Sequence, residues 1–294
     1  MRNVLSLASL GDETCWILVK QALGIPDAKM LSDFMVGRVA LLLFTRQSLP
    51  ERLCVTAAVR QMSGSTIYQG ESGGVWRAEI SDFQEQLLAI FGYYVDCVYL
   101  YGFKAADIME KNVAFRFAII NAGSPDSHPA HALADIACML RAIKELKGIK
   151  TTWVGCGNGT LFSMMEATKW FNFSLTVSMP PQVDSEPFRA KAKEMGTEIN
   201  FVDNPLEAVK NSAFVYAGAR GGLSYEELGE WGITEGLMKA ASPDARVLLS
   251  ASPIRAIHIS PDVMRKISAM LVRQAEYRLR IHKRLLHWVF ARTD

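Results

Sequence analysis

The sequence predicts an α/β protein made of two doubly wound parallel-sheet domains, and three observations predict it. Short apolar runs recur along the chain with helical segments between them. Some of them, Val39 to Phe44 above all, are apolar throughout and do not alternate with polar residues, as expected of strands covered on both faces. They also fall into two sets, divided by a long helical stretch that begins after His128. A chain of 294 residues, half of them hydrophobic and 21% charged, is long enough for two cores of ordinary size.

Taken in order, Asp12-Glu13-Thr14 opens a helix that ends near Gly24-Ile25-Pro26, and Val39 to Phe44 is the first buried strand. Ser48 followed by Glu51 reads as a capping box, with Pro50 removing one donor from the same first turn. The helix Arg52 to Met62 stops before Gly64. Ser65 to Tyr68, Cys97 to Tyr101 and Phe115 to Ile120 complete the first set of strands, and Gln69 to Arg77 is a glycine-rich loop. Ser127 reads as a helix cap ahead of His128-Pro129, and this helix runs to Lys147 and ends at Gly148. The second set comprises Thr151 to Gly155, Ser174 to Met179, Glu198 to Val202, Ala213 to Ala217 and Val247 to Ser250. A final helix starts at Pro261.

The net charge of +2 leaves no electrostatic footprint for nucleic acid. The last helix is locally basic at Arg273, Arg278, Arg280, Lys283, Arg284 and Arg292. Leu279, Ile281, Leu285, Leu286, Val289 and Phe290 interleave with these, so it reads as an amphipathic helix covering a core in preference to one lying on a membrane. Cys15, Cys54, Cys97, Cys138 and Cys156 show no paired spacing and lie mostly in apolar segments, which fits free buried thiols in a reducing compartment. The amino-terminal stretch lacks a basic region leading into a long apolar run, so a secretion signal is not expected, and no stretch approaches about 18 uninterrupted apolar residues. The expectation is a cytoplasmic protein with a small-molecule substrate and with neither nucleic acid nor membrane as a partner.

Four stretches carry more specific information: Phe44 to Arg52; Asn121-Ala122-Gly123; His128-Pro129-Ala130-His131-Ala132-Leu133-Ala134-Asp135; and Gln274-Ala275-Glu276-Tyr277-Arg278-Leu279. In this order they resemble the aspartate and ornithine carbamoyltransferase family, whose patterns are Phe-x-x-x-Ser-x-Arg-Thr-Arg, His-Pro-x-Gln-x-Leu-x-Asp and Gln-Ala-Glu-Asn-Arg-Leu. The resemblance spans the chain. It implies a carbamoyl-phosphate-binding-like domain over 1–127 plus 270–294 and an amino-acid-binding-like domain over 128–269. It further implies a homotrimer with sites at subunit interfaces and no cofactor.

The resemblance also exposes departures. Ser48 and Arg52 match the phosphate-binding turn, but Pro50 and Glu51 stand where the family has arginine and threonine. Tyr101-Gly102 replaces an arginine-bearing pair after the third strand, His128 matches, and His131 replaces glutamine. A phosphate dianion needs several cationic or N–H donors at once. Losing two arginines and gaining a carboxylate therefore argues against ordinary carbamoyl transfer. Arg46, and Arg77 from the glycine-rich loop, are possible compensating charges or plain surface arginines. On the acceptor side, Arg220 in Ala217 to Gly222, and Ser252 and Arg255 in Ala251 to Arg255, match neither the aspartate nor the ornithine pattern.

These departures define the candidates. His128 and His131 share a helix face, with His128 placed to polarise a developing oxyanion. Glu51 and Tyr101 join them as candidate catalytic groups, and Ser48, Arg52, Arg77, Arg220, Arg255 and Ser252 as candidate substrate-binding groups. No third His or Cys completes a metal site, so no metal is expected. Gly155-Cys156-Gly157-Asn158-Gly159 lacks the third glycine of a dinucleotide fingerprint and reads as a tight strand-to-helix turn. Three functions stand open: a divergent enzyme acting on a small amine or amino-acid-like substrate without the standard donor grip; a catalytically silent binding or regulatory homologue; and a true carbamoyltransferase with a rebuilt phosphate site.

Overall fold

The computed structural model describes residues 2–24, 31–70, 84–104, 116–250 and 259–291. The chain divides into two units, 1–134 with 278–294, and 135–277. The division falls inside two helices, α5 (Pro129–Ile143) and α11 (Pro261–Phe290).

In the first unit, β1 (Val39–Phe44), β2 (Ser65–Gln69), β3 (Cys97–Tyr101) and β4 (Ala118–Gly123) form a parallel sheet in the order β2-β1-β3-β4. Leu41, Leu43, Val98, Leu100, Phe117 and Ile119 build the core on one face. The helices α1 (Leu7–Leu10), α2 (Asp12–Leu23), α3 (Leu49–Arg60) and α4 (Gln84–Tyr94) belong to this unit. Strand order reverses between β1 and β3, the place where open α/β sheets bind ligands at their carboxyl ends.

In the second unit, β5 (Lys150–Val154), β6 (Ser174–Ser178), β7 (Ile199–Phe201), β8 (Phe214–Ala217) and β9 (Arg246–Leu249) are parallel in the order β7-β6-β5-β8-β9. The helices here are α6 (Gly159–Phe171), α7 (Glu186–Met195), α8 (Pro205–Val209), α9 (Tyr225–Leu228) and α10 (Glu235–Ala240). The glycine turn after β5 is a compact strand-to-helix corner. Asn158 caps α6 by accepting from the Thr160 and Leu161 N–H groups, and the Phe188 ring fills the space a Cβ at Gly157 would need.

Two of the recognisable sequence patterns meet in this unit. The Asp135 carboxyl accepts from Tyr216 Oη at 3.1 Å and from Gln274 Nε2 at 2.8 Å, and Gln274 also pairs with the backbone N–H and C=O of Leu249. Asp135 and Tyr216 are fully buried. Asp135→Asn turns an acceptor into a donor against one of these two partners. It is expected to cost about 1–2 kcal/mol, read as a lower urea midpoint with unchanged slope.

Several boundaries differ from the sequence reading. The helix after His128 ends at Ile143, because Lys144 takes a positive φ of 65° and Leu146 turns back into the interior. Asn121 to Gly123 lie inside β4, whose expected start at Phe115 falls outside the described residues. The capping box at Ser48 and Glu51 does not form: Ser48 precedes α3 but makes no side-chain cap, because Glu51 is drawn inward by histidines. The cysteines in the described residues are free, four of them buried. No helix among the described residues is long and apolar enough to cross a membrane.

Candidate functional site

The carboxyl ends of β1, β3 and β4 are stitched together before any functional side chain is added. The Tyr101 carbonyl accepts from Thr45 N–H at 3.0 Å and from Thr45 Oγ1 at 3.3 Å, and Gly102 N–H donates to the Gly123 carbonyl at 2.8 Å. Buried Asn121 organises the turn that follows β4. Its Nδ2 donates to the Leu5 carbonyl at 2.8 Å and to Ser124 Oγ at 3.1 Å, and its Oδ1 accepts from Gly123 N–H at 2.9 Å. At Gly123, φ is +132° and a Cβ would lie 2.7 Å from His128 Nε2 and 3.0 Å from the Tyr101 ring. Only glycine lets the His128 imidazole and Tyr101 close over this strand end.

Three helices bring charge to this edge. The first turn of α3 supplies Glu51, the start of α5 supplies His128 and His131, and α11 supplies His282. Glu51 Oε2 lies 2.9 Å from His131 Nε2 and 3.9 Å from His128 Nε2, while Oε1 lies 3.1 Å from His282 Nε2. The His128 and His131 rings stack with centroids 3.5 Å apart and planes inclined by 17°. Glu51 is 3% exposed and His282 0%.

Burial is the strongest influence on Glu51 and opposes its charge. The attraction of His131, hydrogen bonds from His131 and His282, and the attraction of His128 together outweigh it, and the carboxyl is held well below its ordinary range. Burial likewise dominates for His131, aided by the Arg278 guanidinium, and brings its imidazole down to about 4 against the pull of Glu51. His128 is also pushed well down, by burial first and then by His131. At neutral pH Glu51 is therefore a carboxylate facing the neutral imidazoles of His128 and His131. An ionised Glu51 has only acceptors to offer, so His131 and His282 each donate Nε2–H to it. That leaves His131 Nδ1 and His282 Nδ1 with no hydrogen-bond partner among the described residues.

The fold brings Glu51, His128 and His131 together, and the Tyr101 ring lies with His128 beside Gly123. Arg52 is exposed with its guanidinium 3.8 Å from the centre of the Tyr68 ring, and Arg46 lies 5.2 Å from the centre of the Tyr101 ring. Arg220 belongs to the second unit, where it lies over the Tyr225 ring at 5.4 Å. Arg77, Ser252 and Arg255 lie outside the described residues. His282 was missed. Its signal was a polar ring at a buried register position of the last helix, between Ile281 and Leu285 and four residues after Arg278.

A carboxylate 80 residues from His131 joins the histidine pair: Glu51, His128 and His131 place one potential ligand atom each within 4.8 Å of one another.

Residues 2–141 match the family model described as the carbamoyl-P binding domain of aspartate/ornithine carbamoyltransferase, and residues 147–289 match the model of its Asp/Orn binding domain. The chain belongs to the aspartate/ornithine carbamoyltransferase family. It is 25% identical over 293 residues to an ornithine carbamoyltransferase of Nitratidesulfovibrio vulgaris, covering 97% of each chain. It is 26% identical over 309 residues to one of Bacillus cereus, covering 100% of this chain and 96% of that one. Among solved structures it resembles the ornithine carbamoyltransferase of Pyrococcus furiosus, with a TM-score of 0.83 and 21% identity over 100% of this chain and 98% of that one. It also resembles that of Thermus thermophilus, with a TM-score of 0.84 and 20% identity over 98% and 99%. At these identities the structural likeness establishes the family's fold. Glu51, His128 and His131 lie in the part that matches the family's carbamoyl-P binding domain, and His282 lies in the part that matches the Asp/Orn binding domain.

Proposed function

We propose that this family member is an enzyme acting on a small amine or amino-acid-like substrate, and that it does not hold carbamoyl phosphate in the ordinary way. One observation carries the reading: the Glu51 carboxyl group is buried and fixed by His131 and His282 within 3.9 Å of His128 Nε2, where these partners hold it below the ordinary carboxylate range. A dianionic donor brought against His128 would meet this fixed negative charge in place of the arginine and threonine that the family pattern puts at Pro50 and Glu51.

The neutral His128 ring lies against the end of β4 and is suited to give a hydrogen bond to a developing oxyanion. Tyr101 flanks the same glycine. Arg220, Ser252 and Arg255 belong to this reading as groups for a substrate carboxylate, and so does a homotrimer with sites shared between subunits. A second reading, carbamoyl transfer with a rebuilt phosphate site, is favoured by Arg46 and Arg52, whose guanidiniums lie over aromatic rings of the first unit.

The test is a mass-spectrometric turnover screen that pairs amino acids and small amines with carbamoyl phosphate and with carbamoyl donors lacking phosphate. The proposal expects a product from a phosphate-free donor and a loss of about 100-fold in His128→Asn, the scale of removing one oxyanion donor. Efficient turnover of carbamoyl phosphate with ornithine or aspartate would favour the second reading. Amino-acid binding without any turnover would instead identify a silent homologue.

A further inference from the structure

We propose that Glu51, His128 and His131 form a binding site for one divalent transition-metal ion of the zinc, cobalt or nickel kind, with His282 orienting the carboxylate from behind. Two imidazoles and one carboxylate are a recurrent donor set for such ions, and their three bonds leave coordination positions open for a ligand. Ligand atoms at about 2.0–2.2 Å from one ion lie about 3.0–3.5 Å apart. The Glu51 Oε2 separations of 2.9 Å to His131 Nε2 and 3.9 Å to His128 Nε2 bracket that span.

The division of labour within Glu51 is what a metal site needs. Oε2 faces the two candidate ligands on α5, while Oε1 faces His282 at 3.1 Å, so binding an ion through Oε2 leaves the supporting hydrogen bond from α11 in place. The stacked rings put both Nε2 atoms on the Glu51 side of the helix. Ligation replaces the hydrogen bond between His131 Nε2 and Glu51 Oε2: the ring proton moves to Nδ1, and Nε2 presents its lone pair to the ion.

Binding would add two positive charges to the cluster and place a Lewis acid where the unloaded protein offers only the His128 ring. This consequence rests on the proposed function; the binding itself does not. A carbonyl or carboxylate oxygen of the substrate is the class of ligand suited to the open positions.

The test uses the full chain, stripped with EDTA, dialysed and titrated with CoCl2 and ZnCl2, following the visible d–d band of cobalt and the heat of zinc binding. One ion per chain with a Kd at or below about 10 µM is expected. Glu51→Gln and His131→Asn should each weaken binding by about 100-fold, and His282→Asn by about 10- to 100-fold. His128→Asn, nearest the strand-end edge, gives a second ligand variant should either inner substitution fail to fold by circular dichroism. A wild-type Kd above about 1 mM would overturn the proposal, and so would affinity unchanged in both His128→Asn and Glu51→Gln. Stoichiometric cobalt without turnover in the donor screen supports the site and removes the proposed enzyme. Turnover indifferent to EDTA, with no cobalt band, does the reverse.

Discussion

Glu51→Gln is expected to lower the stability of the metal-free protein by about 2–4 kcal/mol, a fall of roughly 5–15 °C in the first unit's thermal midpoint. The carboxylate accepts from two imidazole N–H groups at 2.9 and 3.1 Å. An amide can accept from only one of them, and it turns a donor toward the other, whose ring must then change tautomer inside the protein. The same cluster fixes the sign of the acid response. An imidazole held near 4 in the folded chain and at its ordinary value near 6.5 in the unfolded chain takes up protons preferentially on unfolding between those values. His131 therefore destabilises the fold progressively as pH falls from about 6.5 toward 4, and His128 acts in the same sense. Glu51, held low, contributes stability above its unfolded value near 4.5 that is lost as pH falls through its lower folded value. Thermal midpoints in EDTA should thus drop steadily below pH 6.5, and His131→Gln should flatten the upper part of that slope. A midpoint independent of pH between 7 and 5 would contradict the assignment of neutral buried imidazoles.

The second large effect is a gain. Restoring the family pattern with Pro50→Arg and Glu51→Thr together should raise affinity for carbamoyl phosphate by about 100-fold or more. One added charge-assisted bond contributes about 1.5–3 kcal/mol, and removing a facing carboxylate adds to it. Pro50→Arg alone should gain about 10-fold, because Glu51 still opposes the phosphate. Titration calorimetry at pH 7.5 on variants confirmed to be folded reads both numbers. Equal affinities in wild type and double variant would mean that the carboxylate does not face the donor.

How much of this was legible in the sequence varies with the range of the interaction. The two parallel sheets were readable because uniformly apolar runs such as Val39–Phe44 and Ala213–Ala217 reflect burial on both faces, a local property. The family patterns were readable as spacing, but not the reason two of them persist together: Asp135 and Gln274 meet only once the second unit is folded. At the site, Ser48 and Glu51 had the spacing of a capping box, and local chemistry favoured it. Two histidines remote in sequence won the carboxylate instead, since charge-assisted bonds in a buried setting exceed a solvated cap. His282 could be noticed as a polar ring on an apolar face, but its partner could not be deduced, being 231 residues away.

In the proposed function, a fixed internal carboxylate replaces the positive charge that a phosphate donor requires. Calorimetric titration of the unmodified chain with carbamoyl phosphate tests it most directly. No saturable binding below about 1 mM is expected at pH 7.5. Micromolar saturation, with the donor's phosphate seated against Ser48 and Arg52 and Glu51 still paired with His131 and His282, would contradict it.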